Sequence, residues 1–346
     1  DPEIKLPAAH FNTVLYTGNA STNAITGVGF QPDFVWAKDR AANYHGLWDA
    51  VRGVNKVLYS NENTAETESA TTGLASFDSD GFTLGANTTW NNSGNSLVAW
   101  NWLGDGVAGG TLNQDGDEDS QVNVNNTAGF SIVTYTGTGS NTTVGHGLSQ
   151  APELVIVKNL TDAGEQWQVG SIPIQSDFSW TMKLGAAPAT DAAKDAAANA
   201  FNSAAPTASV FSVGTSNNTN KSGSDYVGYC WFPVDGYSKI GSYAANANAD
   251  GPFAYTGFRP AFVILKNIDR ALKWIMLDDK RNPYNVVGDA LFPNYNTAET
   301  SLYNMDFDSN GFKIRTGSSS FMNHTSGDDY LYIAFSAAPF QYSNAR

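Results

Sequence analysis

The sequence predicts an all-β protein of three tandem antiparallel β-sandwich modules, jelly-roll or lectin-like, with at most one short helix, in the second module. Three observations lead there. A proline-headed apolar segment occurs three times, about 110–120 residues apart, which is the spacing of repeated modules rather than of one large fold. A closing strand aligns without gaps in all three copies. The composition, 12% aromatic and only 15% charged with 33 glycines, suits strands and tight turns rather than helices.

The segment reads Gly29-Phe30-Gln31-Pro32-Asp33-Phe34-Val35-Trp36-Ala37-Lys38 in the first copy. It returns as Gly147-Leu148-Ser149-Gln150-Ala151-Pro152-Glu153-Leu154-Val155-Ile156-Val157-Lys158 and as Gly257-Phe258-Arg259-Pro260-Ala261-Phe262-Val263-Ile264-Leu265-Lys266. Pro cannot donate to a ladder, so it suits the beginning of a strand. The apolar run behind it is too short for a typical helix and reads as a strand buried on both faces.

Module one is placed at 1–105. It opens on Phe11-Asn12-Thr13-Val14-Leu15-Tyr16-Thr17-Gly18, and Phe77-Asp78-Ser79-Asp80-Gly81-Phe82 predicts a hairpin. Residues 106–128 read as an acidic, Gly-rich linker, with Val122 and Val124 alternating as a short strand would. Module two, 129–236, opens on Phe130-Ser131-Ile132-Val133-Thr134-Tyr135-Thr136-Gly137. Its Ala-rich stretch from Asp191 to Phe201 predicts the one short helix. Module three is placed at 237–346. It repeats the hairpin as Phe307-Asp308-Ser309-Asn310-Gly311-Phe312, and Asn63-Thr64-Ala65-Glu66-Thr67 returns unchanged as Asn296-Thr297-Ala298-Glu299-Thr300.

In the closing strands Val98, Val227 and Leu331 match, as do Trp100, Tyr229 and Ile333, and Trp102, Trp231 and Phe335. Large residues alternate there with mostly small ones. That pattern predicts one well-packed face and one closely covered face, hence a second layer.

The net charge of −14 argues against a nucleic-acid partner, which calls for a basic patch, and against an anionic membrane surface. No apolar stretch is long enough for a membrane span, and no leader segment is evident. The start at Asp1 is read as the mark of a processed chain or of a piece of a longer polypeptide. Cys230 is the single cysteine, inside an apolar strand, and reads as an inert buried thiol.

Candidate chemistry is sparse. Asp49-x-x-Arg52 recurs as Asp278-x-x-Arg281, beside Trp48 and Leu277, and is absent from module two. The pair suits a polar ligand clamp or, more simply, a salt bridge that pins a loop. Loop aromatics Trp48, Trp167, Trp274 and Tyr295 could stack on sugar rings or serve as core and subunit contacts. Asp115, Asp117 and Asp119 begin like an oxygen-ligand loop for Ca²⁺ but lack the later Gly and Glu; a solvated acidic stretch is the simpler reading. No other cofactor is expected. His10, His45, His146 and His324 have no zinc-site spacing, and no catalytic residue or nucleophile elbow emerges, so no enzyme is expected.

At the level of whole segments, the chain resembles a module of uncharacterised proteins of marine tailed bacteriophages. The likeness rests on Gly27-Val28-Gly29-Phe30-Gln31-Pro32-Asp33-Phe34-Val35-Trp36, Val51-Arg52-Gly53-Val54-Asn55-Lys56, Gly236-Tyr237-Ser238-Lys239-Ile240-Gly241-Ser242-Tyr243, Asp250-Gly251-Pro252-Phe253-Ala254-Tyr255-Thr256-Gly257 and Tyr332-Ile333-Ala334-Phe335-Ser336-Ala337-Ala338-Pro339-Phe340. It covers nearly the whole chain, to Asn344-Ala345-Arg346. The resemblance implies a structural protein of virion appendages, tail fibres or spikes, exposed on the particle surface. By the same analogy it implies assembly as a homotrimer and with other virion proteins. The expectation is a non-enzymatic fibre, knob or spike that adheres to host surface polysaccharide. A capsid or tail decoration (cement) protein and a polysaccharide depolymerase remain the alternatives.

Overall fold

The computed structural model describes residues 4–336 and 338, apart from 70, 71, 186–188, 319 and 320. Parts of the phage resemblance, at 337, 339, 340 and 344–346, lie outside the described residues.

Each proline-headed segment forms a six-residue strand with every residue buried: Phe34–Asp39, Leu154–Asn159 and Phe262–Asn267. Each lies between a closing strand and a short fourth strand. The first sheet runs in the order Phe11–Thr17, Ser96–Trp102, Phe34–Asp39, Gly46–Asp49. The third repeats it as Ser238–Ala244, Asp329–Phe335, Phe262–Asn267, Ile275–Asp278. The second has the same four strands at its centre: Phe130–Thr136, Asp225–Trp231, Leu154–Asn159, Trp167–Ser171. Register is the same in all three. Phe34 lies opposite Trp102 and Asp49, Leu154 opposite Trp231 and Ser171, and Phe262 opposite Phe335 and Asp278.

Period two explains burial on both sides. In the first repeat Val35, Ala37, Trp48 and Ala99 share a cluster with Ile25, Leu74, Phe82 and Leu84. These last belong to a smaller sheet of Asn23–Thr26, Gly81–Leu84 and Leu74–Asp78. The third repeat packs Val263, Leu265 and Ala334 on the corresponding sheet of Phe253–Tyr255, Gly311–Ile314 and Met305–Asp308. The alternate residues turn the other way and meet across the repeats. A cavity of only about 20 Å³ is ringed by Phe34, Trp36 and Trp102 from the first, Leu154, Ile156 and Trp231 from the second, and Ile264, Ile333 and Phe335 from the third. Three sheets therefore face one internal axis, each contributing equivalent side chains. Ring contacts cross it: Phe34 to Tyr229 at 4.5 Å, Phe11 to Phe335 at 5.1 Å, and Trp100 to Phe262 at 5.4 Å.

Both expected hairpins form. Two expectations need correction. No α-helix forms over 191–201. Ala189–Asp191 is a 3-10 turn, and Asp195–Ala196 is a strand paired with Trp180–Leu184. Sheet-edge pairing overrides the helix propensity of alanine, because tertiary contacts outweigh local preference. The described α-helices are single turns at Thr88–Asn91 and Asn217–Asn220, capped by Asn87 and Ser216. None is long and apolar enough to cross a membrane.

The acidic segment 106–128 is not a loose linker. Thr111–Asn113 pairs with Ser120–Asn125, which adds to Phe130–Thr136 and widens the second sheet. Buried Asn123 fixes the joint, accepting from the Asp105 N–H at 2.9 Å and donating to the Asp33 carboxylate at 3.3 Å.

A shared core should unfold as one unit. The expected outcome is a single transition at which tryptophan fluorescence and far-UV circular dichroism coincide. Trp102→Ala should lower stability by about 3–5 kcal/mol while keeping one transition; separate transitions would mean that the repeats stand alone.

Candidate functional site

The recurrent Asp-x-x-Arg pairs lie where repeats meet. Arg52 Nε donates to Asp49 at 2.5 Å, Arg52 Nη1 to Glu66 at 3.0 Å, and the Tyr229 hydroxyl of the second repeat donates to Asp49 at 2.7 Å. In the third repeat Arg281 Nε donates to Asp278 at 2.7 Å and Nη1 to Glu299 at 2.8 Å, while Trp100 Nε1 of the first repeat donates to Asp278 at 3.1 Å. Glu66 and Glu299 are the glutamates of the duplicated pentapeptide. Burial works against the Arg52 charge, but Asp49, Tyr229 and Glu66 outweigh it, and its pKa rises above the ordinary value. At the remaining seam the equivalents are Ser171 and Ile333, an uncharged pair. The donor and the carboxylate are thus lost together.

A second set of contacts circles the molecule. His45, Trp167 and Trp274 immediately precede or begin the fourth strands. The Trp36 indole donates to His45 Nδ1 at 2.9 Å, so Nε2 carries the proton and donates to the Phe292 carbonyl at 3.0 Å. Burial holds the His45 pKa well below its usual value and keeps the ring neutral. Trp167 Nε1 donates to the Tyr59 carbonyl at 3.0 Å, and Trp274 Nε1 to that of Lys183 at 3.0 Å. Each indole or imidazole reaches into the adjacent repeat.

These contacts correct the expected ligand contacts. Trp48, Asp49, Arg52, Trp167, Trp274, Asp278 and Arg281 are buried, so they offer neither an open clamp nor a free ring face to a sugar. Tyr295 is half-buried; its hydroxyl donates to Asp191 at 2.5 Å and Lys273 lies 4.3 Å from its ring centre. Asp49–Arg52 and Asp278–Arg281 are buried ion pairs, and each aspartate also accepts a hydrogen bond from another repeat. Asp115, Asp117 and Asp119 are exposed and bond separately to Asn113, Thr143 and Gln114. Among the described residues no group of three or more His, Cys, Asp or Glu is arranged to hold a metal ion. Cys230 is fully buried, and burial pushes its thiol pKa up.

Sequence reading missed the lysines that end the apolar runs. Lys38, Lys158 and Lys266 are all buried. Lys38 donates to the carbonyls of Asp39 and Ala42, Lys158 to that of Asn159, and Lys266 to those of Asp191, Arg270 and Leu272. Their recurrence at one strand position was the available signal.

Two accessible features stand out among the described residues. A polar cleft of about 500 Å³ lies between the first and second repeats, lined by Arg52, Lys56, Glu66, Asp119, Leu160 and Asp225 among others. The other is an aromatic pair on the edge strand Phe253–Tyr255 of the third repeat's outer sheet. Ala254 points inward, while Phe253 and Tyr255 are 44% and 65% exposed. Strand register puts Lys313 and Gly311 beside them, then Asp306 and Asp308. A Cβ at Gly311 would run into the Ala254 carbonyl oxygen and lie 2.7 Å from the Phe253 ring, so the close strand pairing requires glycine there, as it does at Gly81 in the first repeat. The first repeat has Ala24 and Thr26 at the matching positions.

The chain belongs to the family described as a domain of unknown function, DUF7483, whose model matches residues 6–339. No curated protein matches it.

Two outcomes follow from the buried groups. Arg52→Met strips Asp49 of its guanidinium and should cost about 3–5 kcal/mol, and Tyr229→Phe about 1–3 kcal/mol, measured by urea unfolding. Burial pulls the pKa of Lys38 and Lys158 down to about 8 and that of Lys266 to about 7, from an ordinary 10.5. The unfolded chain therefore holds more protons between those values. Stability should climb with pH across that window and be lost below it. A urea midpoint higher at pH 9 than at pH 7, with a shallower slope in Lys266→Met, is expected.

Proposed function

We propose that this chain is a non-enzymatic virion surface protein, of fibre, knob or spike type, that adheres to host-cell glycans through the Phe253–Tyr255 edge of its third repeat. The observation that carries this reading is the exposed aromatic pair. Alternate residues of a strand lie about 7 Å apart on one face. Two rings side by side on a sheet give the apolar C–H face of a sugar a flat surface to cover. Asp308 stands beside the rings to bond hydroxyl groups, with Lys313 and Asp306 next to it, already paired with Asp250 and Arg315. Burial and the nearby Asp306 raise the Asp308 carboxyl pKa, as suits a group at the edge of an apolar patch. The scaffold supplies rigidity, since the outer sheet rests on the buried Val263 and Leu265 layer.

The resemblance to phage appendage modules supports the same reading, and membership of a family of unknown function leaves it open. Assembly as a homotrimer and attachment to other virion proteins are part of the proposal. Tyr284 and Leu302, 83% and 76% exposed, favour a decoration role as the second reading, with these side chains set against neighbouring subunits.

A glycan array probed with purified protein, followed by host-cell binding, tests the proposal. Binding should fall at least tenfold in the Phe253→Ala, Tyr255→Ala double variant, without a change in circular dichroism. Undiminished binding by that variant, or no binding on any susceptible host, would overturn it. Release of reducing sugar from host capsule would overturn the non-enzymatic part.

A further inference from the structure

The three seams can be compared position by position, because one backbone hydrogen bond recurs at each. The Glu66 N–H donates to the Leu160 carbonyl at 2.8 Å, that of Glu299 to Arg40 at 2.8 Å, and that of Lys194 to Ile268 at 2.8 Å. Glu66, Glu299 and Lys194 are therefore equivalent, and so are Leu160, Arg40 and Ile268. Between the third and first repeats, Arg40 crosses the seam. Its Nε lies 3.1 Å from both oxygens of Glu299 and its Nη2 2.6 Å from one of them, with Asp289 at 3.7 Å and Ser96 at 3.4 Å. Between the second and third repeats, Lys194 reaches Asp269 at 3.4 Å.

The seam between the first and second repeats has Glu66, bonded by Arg52 of its own repeat, but no arginine reaching it from across the seam. Leu160 stands in its place, too short to fill the space, and the cleft of about 500 Å³ opens there. Asp225 occupies the position of Ser96, and Asp119 lines the same cleft. Arg52 is already matched by Asp49 and Glu66. Lys56 puts its ammonium 3.6 Å from Glu66 with a side chain 42% exposed, while Asp119 and Asp225 accept only from the neutral Gln114 and Thr136 side chains among the described residues.

We propose that this cleft is a seat for a guanidinium group brought by a ligand. Arg40 at the sister seam shows the geometry: a planar fork on one glutamate, with a second acceptor alongside. The cleft is larger than one guanidinium requires, so an arginine side chain on a peptide segment fits it better than free arginine. This inference stands apart from the glycan reading and uses a different face of the molecule.

The test is isothermal titration of the full chain with acetyl-Gly-Arg-Gly-amide, with L-arginine amide, and with the same peptide carrying citrulline, a neutral isostere. The arginine peptide should bind at least tenfold tighter than the citrulline peptide, and more weakly as salt rises. Tighter binding of the peptide than of arginine amide assigns the source to a protein partner; equal binding assigns it to a small molecule. Leu160→Arg should fill the seat from within, raise the melting temperature and abolish binding. Asp225→Asn, at an exposed position, should weaken binding without unfolding the chain. Equal affinity for the arginine and citrulline peptides, or undiminished binding by Leu160→Arg, would overturn the proposal.

Discussion

Everything in this molecule follows from three strands that have no solvent face. Phe34–Asp39, Leu154–Asn159 and Phe262–Asn267 each turn one set of side chains to an outer sheet and the other to the common axis. Such a strand needs cover on both sides. One repeat supplies only the outer cover. The inner cover comes from the other two, so Phe34, Trp36 and Trp102 are buried only because Tyr229, Trp231, Ile333 and Phe335 face them. The cavity left at the axis is small and apolar, as close packing of large rings requires.

Burial on this scale forces charged groups into the interior where strands end, and Asp49, Arg52, Asp278 and Arg281 find partners there. The solution is cyclic. Tyr229 of the second repeat serves Asp49 of the first, and Trp100 of the first serves Asp278 of the third. The imidazole or indole of each repeat likewise serves a carbonyl of a neighbour. Where Ser171 replaces the aspartate, Ile333 replaces the donor, which leaves neither an orphaned carboxylate nor an orphaned hydroxyl. A buried ion pair gives little net stability compared with apolar packing, yet removing one member is costly. The pairs therefore fix which repeat meets which more than they strengthen the meeting.

Much of the strand architecture was legible because strand signals are local. Proline-headed runs, Asp-Ser-Asp-Gly and Asp-Ser-Asn-Gly turns, and the ungapped closing strands each constrain a few neighbouring residues. Contacts between repeats are not local. Nothing near Trp167 or Trp274 in the sequence distinguishes a loop ring open to a ligand from one anchored on a carbonyl of another repeat. The duplicated pentapeptide was visible, but not that its glutamate completes a buried arginine. Asp191 to Phe201 failed for the same reason: alanines that favour a helix in isolation also allow the close approach of a sheet edge. The aromatic pair at Phe253 and Tyr255 carried a signal only once strand register tied it to Ala24 and Thr26.

That comparison also separates structure from function inside one chain. Three copies of one unit meet the same packing demands at equivalent core positions, so their likeness there needs no further cause. A difference at an exposed equivalent position has no packing cause. Where the first repeat has Ala24 and Thr26, Phe253 and Tyr255 leave aromatic rings 44% and 65% exposed to water. Replacing Arg40 by Leu160 opens a cleft and leaves Glu66 facing it, where the sister seam is closed by its own side chain. We therefore locate both proposed ligands, a glycan on the rings and a guanidinium in the cleft, at differences between the repeats rather than in the shared core.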